Sequence, residues 1–234
     1  MKTKASLEQL NAIGLVAAKM VQPGQRVGLG SGRAALAFVR ALARRVREEK
    51  LEIVGVPSSI ATEQVARDGG IPLGTLVEIE ELDITVDGAD EVDPALNMIK
   101  GGGGYLTREK VVASITKKFV IVVGGEKLVP QLGHTFPVFL EVLEFARHVV
   151  TRKLEAMGVT VTLRKNADGS LYVTDNGNSY LEARFPRGAL ADPGAVDLKL
   201  DAMPGVIETG LFIGRADEVI VAHGDGRVEH LRRK

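Results

Sequence analysis

Short apolar segments alternate with amphipathic helical patterns over the first 129 residues. Helical periodicity covers residues 7–21, 33–49 and the stretch from Thr107 to about Lys118. The apolar segments between these helices are short enough for buried strands and cover residues 26–29, 53–56, 82–86 and 119–123. This alternation predicts an α/β fold, a Rossmann-like and mostly parallel sheet flanked by helices. Ser58 and Thr107 are the predicted caps of two of the helices.

The pattern changes after Pro130 and predicts a second, smaller domain. Strand-like segments at 138–142 and 159–163 flank a helical segment at 148–157. Residues 171–174 and 179–185 can form a hairpin, and 192–203 a closing helix. We therefore predict an α+β (ferredoxin-like) domain over residues 130–205. The tail from Val206 is expected to rejoin the first sheet, which gives a first domain of residues 1–129 plus 206–234.

Composition narrows the class of protein. The 234 residues include 30 Lys plus Arg and 30 Asp plus Glu, a balance that argues against a nucleic-acid or membrane-surface binder. The absence of cysteine excludes a thiol nucleophile and a thiolate zinc site, and fits a reducing compartment. Residues 1–4 lack the features of a secretory signal, and the apolar runs are shorter than the roughly 20 residues that span a bilayer. We expect a cytoplasmic protein.

A glycine-rich loop lies between the first predicted strand and the next helix. Gly28, Gly30 and Gly32 would let backbone N–H groups and the helix N-terminus face one anion, most naturally a phosphate. A dinucleotide site is the weaker interpretation, because Arg33 stands where the third glycine of that motif would be. A turn that only lets helix and strand pack closely is a further alternative.

The segment from Asp87 to Glu109 carries the densest candidate chemistry. Asp87 and Asp90 follow a predicted strand, Lys100 precedes four glycines at 101–104, and Glu109 lies at a predicted helix start. A base, an acid and groups that stabilise an anion suit proton transfer next to a carbonyl. Four consecutive glycines are costly to order, so we expect something, such as a ligand, to hold this turn.

Each of these residues also has a purely structural explanation. Asp87 and Asp90 are common turn residues, and Glu109 would favour a helix N-terminus whatever the function. Lys100 taken alone is typical of a solvated surface. The four acids of residues 87–93 could instead supply oxygen ligands to a metal ion, although their spacing differs from an EF-hand loop and a nearby lysine would compete with a cation.

Two further positions lie at the predicted carboxyl edge of the sheet. Ser58 and the hydroxyls after it follow the second strand, where they either contact a ligand or cap the helix. Lys127 follows the strand at 119–123 and either pairs with a phosphate or is a surface lysine.

These segments resemble the ribose-5-phosphate isomerases of the A type. The polyglycine block with its flanking Asp and Glu is the most specific part of the resemblance. The matching segments are residues 27–32, 57–59, 87–91, 99–103 and 106–110, Lys127, and residues 175–178.

The resemblance implies interconversion of D-ribose 5-phosphate and D-ribulose 5-phosphate without a metal or organic cofactor, in a cytoplasmic homodimer or homotetramer with no nucleic-acid or membrane partner. Glu109 matches the general base, and Asp87, Asp90 and Lys100 line the same site. The implied substrate-binding set is Gly30, Ser31, Gly32, Arg33, Ala34, Ser58, Gly88, Ala89, Gly101, Gly102, Gly103 and Lys127. The family commonly has Ser-Thr where Arg33-Ala34 stand, and Arg33 could replace the lost hydroxyls with charge-assisted bonds.

Two other functions use related α/β folds. A sugar-phosphate sensor would need a DNA-reading domain, and a basic helix-turn-helix pattern does not precede the first strand. An acyl-thioester transferase would use Glu109 as a nucleophile and be trapped covalently by its substrate.

Overall fold

The structure is a computed structural model that describes residues 4–233. Residues 1–3, which belong to the stretch tested above for a secretory signal, and residue 234 lie outside the described residues. The helices are α1 (Leu7–Lys19), α2 (Gly32–Glu48), α3 (Ile60–Asp68), α4 (Leu106–Ser114), α5 (Arg147–Ala156) and α6 (Pro193–Asp201). The strands are β1 (Arg26–Leu29), β2 (Val54–Pro57), β3 (Ile84–Asp87), β4 (Glu91–Val92), β5 (Met98–Ile99), β6 (Phe119–Gly124), β7 (Val138–Val142), β8 (Thr160–Leu163), β9 (Ser179–Arg184), β10 (Val206–Thr209), β11 (Leu211–Phe212), β12 (Glu218–Ala222) and β13 (Val228–Arg232). Within residues 4–233, every helix is too short or too polar to cross a bilayer.

The chain divides into two compact units. Within the described residues, unit 1 contains residues 4–89, 108–128 and 215–233, and unit 2 contains residues 90–107 and 129–214. Residues 90–107 and 206–214, which the sequence pattern assigned to the first domain, therefore belong to unit 2. Helix α4 starts in unit 2 and continues in unit 1.

Unit 1 is built on a six-stranded sheet with the order β13-β12-β6-β3-β1-β2. The neighbours from β12 to β2 are parallel, and only the edge pair of β12 and β13 is antiparallel. All six residues of β6 are buried, which is typical of a central strand covered on both faces. The predicted mostly parallel sheet is confirmed, and the tail returns to it from Glu218 onwards.

Helices α1 and α2 pack tightly on each other in unit 1. Ser6 and Gln9 form a capping box at the start of α1, which satisfies backbone N–H groups of the first turn. A Cβ on Gly14 would lie 2.7 Å from a backbone carbon of Ala37, so glycine permits the close approach of the two helices. Phe38 is fully buried in the resulting core.

Unit 2 contains a four-stranded antiparallel sheet with the order β10-β7-β9-β8. The chain order β7-α5-β8-β9-α6-β10 with this strand order is the ferredoxin-like arrangement, as predicted. A second sheet of this unit joins β11, β5 and β4. The predicted hairpin is reduced to a single bridge between Val173 and Ser179, because residues 171–174 form no continuous strand.

Two helix caps differ from the prediction. Ser59, not Ser58, is the N-cap residue of α3, and its side chain accepts a hydrogen bond from the backbone N–H of Thr62 at 3.0 Å. Thr107 lies inside the first turn of α4 instead of preceding it. Both hydroxyls that were predicted as caps bind elsewhere, as described below.

A buried carboxylate links three segments at the edge of the unit 1 sheet. Glu218, the first residue of β12, contacts Lys118 (3.2 Å), His230 (2.7 Å) and Arg232 (3.1 Å). Burial by itself raises the pKa of the Glu218 carboxyl, but the hydrogen bonds from His230, Lys118 and Arg232 outweigh burial and lower this pKa from 4.5 to about 2. The ionised carboxylate therefore stabilises the join between β6, β12 and β13.

This lowered pKa predicts a specific pH dependence of stability. The contribution of Glu218 should be complete above pH 4.5 and disappear as the pH falls from 4.5 towards 2, because the unfolded chain binds the proton first. Wild-type protein should exceed Glu218→Gln in unfolding free energy by at most about 3 kcal/mol at neutral pH, since the cations are partly solvated. Urea titrations of both proteins between pH 7 and pH 3 measure this difference. A difference that is constant over the whole range would contradict the assignment.

Candidate active site

The glycine loop lies where the sequence predicted it, between β1 and the first turn of α2 in unit 1. Ser31 is the N-cap residue of α2 and is buried, whereas Gly32 and Arg33 are exposed and Ala34 is half-buried. Gly32 has a φ of +82°, a backbone conformation that side chains disfavour. The loop thus presents a helix N-terminus and an exposed turn, the geometry that favours an anion.

Four hydroxyl groups, including that of Ser31, form a hydrogen-bonded cluster at this loop. The Ser31 hydroxyl lies 2.9 Å from that of Ser58, 2.8 Å from that of Ser59 and 3.2 Å from that of Thr62. Thr62 also donates to the carbonyl of Gly30 at 3.0 Å. Hydroxyls can both donate and accept, so this cluster links the loop to the start of α3 and can reorient around a ligand.

Asp87 holds the glycine loop from the neighbouring strand. It is the last residue of β3, is buried, and its Oδ1 accepts hydrogen bonds from the backbone N–H groups of Ser31 (2.9 Å) and Gly88 (2.7 Å). A Cβ on Gly30 would lie 2.4 Å from this Oδ1. Gly30 is therefore required for the close packing of the carboxylate, so the packing interpretation of the loop applies to this glycine.

Glu109 lies in the first turn of α4, in unit 1, and its residue is only 5% exposed. A carboxylate at this depth is not the solvated first-turn acid that the helix dipole alone would explain. Lys127 lies in a short 3-10 helix, Gly125–Lys127, directly after β6, and is half-buried. Glu109 and Lys127 lie in unit 1, which also contains the half-buried Gly88 and Ala89.

Asp90 and Lys100 lie in unit 2. The Oδ2 of Asp90 accepts a hydrogen bond from the backbone N–H of Gly102 at 2.7 Å. Lys100 is 2% exposed, and its Nζ lies 5.4 Å from the ring centroid of Phe212. A buried ammonium group acts in a medium of low dielectric constant, where its charge has a strong effect on nearby anions. Lys100 is thus not the solvated surface lysine of the alternative interpretation.

Protein side chains hold the glycine turn in place. Tyr180 donates to the carbonyl of Gly101 at 2.5 Å, and Arg164 donates to the carbonyl of Gly102 at 3.0 Å. A Cβ on Gly102 would lie 2.6 Å from Asp90 Oδ1. The expectation that something must order this turn is met by the protein itself, and Gly103 is its exposed residue.

Two tyrosine rings contact Arg164, the side chain that binds the glycine turn. The Arg164 guanidinium lies 4.7 Å from the ring centroid of Tyr180 and 5.6 Å from that of Tyr172. Burial raises the pKa of Tyr172, so its hydroxyl, next to Gly104, stays protonated over the physiological range. Sequence reasoning missed Arg164, Tyr172 and Tyr180, because they come from distant segments. Ser59 and Thr62, in contrast, are among the hydroxyls after Ser58 that the sequence indicates.

The four acids of the metal hypothesis bind different backbone segments. Besides Asp87 and Asp90, Glu91 accepts hydrogen bonds from the backbone N–H groups of Gly133, Thr135 and Phe136. Asp93 accepts from those of Ala95 and Asn97. Among residues 4–233, there is no group of three or more His, Asp or Glu side chains placed to hold a metal ion.

Known proteins match this chain along most of its length. Residues 54–226 match the model of the family "ribose 5-phosphate isomerase A (phosphoriboisomerase A)". The ribose-5-phosphate isomerase A of Chloroflexus aurantiacus is 46% identical over 228 residues, 97% of this chain and 94% of that protein. That of Desulfatibacillum aliphaticivorans is 48% identical over 211 residues, 90% of this chain and 91% of that protein.

Solved structures match as well. The ribose 5-phosphate isomerase A of Methanocaldococcus jannaschii has a TM-score of 0.91 with 37% identity and covers 97% of this chain and 100% of its own. A D-ribose-5-phosphate isomerase in complex with phospho-erythronic acid has a TM-score of 0.92 with 35% identity, over 98% of this chain and 100% of its own.

The packing of Asp87 against Gly30 predicts that Gly30 tolerates substitution by alanine less well than Gly88 does. Gly30→Ala would place a methyl group 2.5 Å from Asp87 Cα, a backbone atom that cannot move freely, whereas the nearest atom to a Cβ on Gly88 is 3.8 Å away. We expect Gly30→Ala to destabilise unit 1 by about 1–3 kcal/mol or more. Gly88→Ala, the matched control, should change stability by less than about 0.5 kcal/mol. Thermal unfolding followed by circular dichroism measures both, and a Gly30→Ala protein as stable as wild type would refute the packing argument.

Proposed function

The chain belongs to the ribose 5-phosphate isomerase A family, and we propose that it interconverts D-ribose 5-phosphate and D-ribulose 5-phosphate. It is an aldose-ketose isomerase. The observation that carries the proposal is the match of residues 54–226 to the family, together with a relative of the same fold that binds phospho-erythronic acid. A sugar acid of this kind carries a planar, charged group, as an enediolate does, which is what a site complementary to such an intermediate would bind.

Glu109 is the proposed general base. In the open-chain aldose, the carboxylate removes the proton from C2, and the electron pair of the C2–H bond forms a double bond to C1 while the C1 carbonyl oxygen becomes anionic. Glu109 then returns the proton to C1, and the hydroxyl proton of O2 moves to O1, which leaves the ketone at C2. The burial of Glu109 supports this role, because a catalytic base acts most effectively at a site from which bulk water is excluded.

Lys100 and the glycine turn stabilise the negative oxygen of the cis-enediolate. The buried ammonium group supplies a fixed positive charge, and the turn supplies backbone N–H groups. Such pre-positioned donors need no reorganisation when charge develops, and one well-placed donor contributes about 3–4 kcal/mol to the transition state. The hydrogen bonds from Tyr180 and Arg164 to the turn support this assignment, because they fix it before substrate binds.

The two aspartates order different loops and share one proposed task in the reaction. Asp87 already accepts two backbone hydrogen bonds through Oδ1, which suits a charged residue that orders the Ser31 loop and orients substrate hydroxyls through its second oxygen. Asp90 likewise binds the glycine turn through Gly102. Either carboxylate can pass hydroxyl protons or assist opening of the furanose ring.

The phosphate is assigned to the Ser31 loop. The N-terminus of α2, the hydroxyl cluster and the exposed Gly32–Arg33 turn favour a dianion, and Lys127 adds a point charge. The substrate carries its phosphate on C5, so the dianion lies away from C1 and C2, the carbon atoms between which Glu109 transfers the proton.

The compartment and assembly are also proposals. A chain without cysteine functions in the reducing cytoplasm without loss of any structural bond. Unit 2 exposes apolar side chains after β7, with Phe145 99% and Leu143 44% exposed, which supports a homodimer or homotetramer.

Glu109→Gln should reduce kcat at least about a hundredfold with little change in KM, because an amide cannot remove a proton but keeps the shape of the side chain. Glu8→Gln is the matched control, since Glu8 is also a first-turn acid but is exposed on α1. It should keep wild-type kcat. Steady-state assays of both variants measure this, and near-normal turnover of Glu109→Gln would exclude it as the base.

Proton exchange tests the reaction class independently of any variant. Incubation with ribose 5-phosphate in deuterated water should place deuterium at C1 of the ketose, because the proton on a carboxylate exchanges with solvent before it is returned. Nuclear magnetic resonance of the product detects the label. Ketose that forms without any deuterium at C1, even at long incubation times, would indicate a proton transfer shielded from solvent. A covalent adduct between the substrate and Glu109 would instead support the transferase alternative.

A further inference from the structure

Unit 2 contains a buried carboxylate that the proposed reaction does not use. Glu141 lies in β7 between β9 and β10, and its residue is 1% exposed. Its oxygens accept hydrogen bonds from four side chains. The donors are Thr107 Oγ1 at 2.6 Å, Asn178 Nδ2 at 2.7 Å, Thr174 Oγ1 at 2.9 Å and Asn176 Nδ2 at 3.1 Å.

The four donors are neutral, so these contacts solvate the charge of Glu141 without cancelling it. Burial of an ionised carboxylate is costly unless all its lone pairs are used, and an ionised carboxylate can only accept. Each donor must therefore point at Glu141. Such charge-assisted bonds are shorter and stronger than bonds between neutral groups, in agreement with the distances to Thr107 and Asn178.

Three of the donors come from one turn that is built to present them. Within residues 174–178, the Thr174 hydroxyl accepts from the backbone N–H groups of Asn176 (3.2 Å) and Asn178 (3.1 Å), and the backbone N–H of Thr174 donates to the carbonyl of Asn178 (3.0 Å). The turn includes residues 175–178, a segment of the family resemblance that the proposed chemistry leaves without a task.

The fourth donor lies on the helix that carries the proposed base. Thr107 is in the first turn of α4, two residues before Glu109, and its hydroxyl binds Oε2 of Glu141, whereas Thr174 and Asn178 bind Oε1. First turns of helices lack part of their internal hydrogen bonds and fray easily. An external anchor on the first turn therefore limits the motion of the next residues along the helix.

We propose that Glu141 is a positioning residue for the general base Glu109, acting through the hydroxyl of Thr107. The inference rests on the proposed function. The turn at 174–178 fixes the carboxylate of Glu141, Glu141 fixes the first turn of α4, and this turn fixes the backbone from which Glu109 extends. Because a displacement of about 1 Å in a catalytic group can reduce the rate a hundredfold, one hydrogen bond at this point has a measurable effect on catalysis.

Thr107→Val tests the link with the least disturbance, since it removes the hydroxyl and keeps the shape. We expect kcat to fall at least about tenfold with KM within about twofold of wild type, because positioning of the base affects the chemical step more than binding. Thr107→Ser restores the hydroxyl and should return kcat to within about threefold of wild type. Steady-state kinetics and thermal unfolding are measured on the same preparations.

Thr162→Val is the matched control. It makes the same substitution at an exposed threonine of β8, in the same unit, whose hydroxyl is not among the four donors to Glu141. Its kcat should stay within about threefold of wild type. Equal losses of kcat in Thr107→Val and Thr162→Val, or an unchanged kcat in Thr107→Val, would overturn the proposal.

A double-mutant cycle with Glu141→Gln gives a second test. The amide would direct an NH2 group at one of its donors, so this variant should also lose kcat at least about tenfold. If both residues act through one contact, the double variant with Thr107→Val should lose little more than either single variant, and multiplied losses would contradict the proposal. Failure of this inference is distinguishable from failure of the proposed function. An active Glu109→Gln variant would reject Glu109 as the general base. An inactive Glu109→Gln variant together with a fully active Thr107→Val variant would reject only the positioning role of Glu141.

Discussion

A buried carboxylate must have its oxygens hydrogen-bonded, and this requirement fixes most of the functional loops of this protein. In unit 1, Asp87 binds the backbone of the Ser31 loop. In unit 2, Asp90 binds the glycine turn, and Glu141 binds both the start of α4 and the turn at 174–178. Each loop is thus ordered by a charge that would be costly to leave unsatisfied. The resulting rigidity is what an isomerase needs, because its catalytic groups must be in place before charge develops on the substrate.

The same constraint explains the glycines. A carboxylate that binds a loop at such short range leaves no room for a Cβ, which is why Gly30 lies against Asp87 and Gly102 against Asp90. The entropy lost on ordering glycine is offset by these bonds and by the contacts of Arg164 and Tyr180. A sequence of four glycines, which in isolation predicts flexibility, is therefore one of the best supported turns in unit 2.

Much of the fold could be predicted from the sequence, because its signals are local. The apolar runs that form β1, β6 and β7 were placed within one residue, since a short β-branched run between turn residues has few alternatives. The errors have equally physical causes. Ser58 and Ser59 have the same capping propensity, and only the start of α3 at Ile60 decides that Ser59 is the cap, with its side chain on the N–H of Thr62. The two-residue strand β4 pairs with β5, and β5 pairs with β11, which lies more than a hundred residues further along the chain. The pattern of residues 90–107 alone could therefore not assign these strands to unit 2.

The sequence by itself determined which chemistry is available: carboxylates, one lysine and a glycine turn within 23 residues, at a spacing that marks the family. Only the tertiary structure decided how each group is used. Burial separates Glu109 and Lys100 from ordinary surface residues. Glu141, which holds the helix start, and Arg164 and Tyr180, which hold the glycine turn, lie 34 to 79 residues away from their partners in the chain. Residue type and spacing are local properties, whereas solvation and hydrogen-bond partners depend on which distant segments the fold brings into contact.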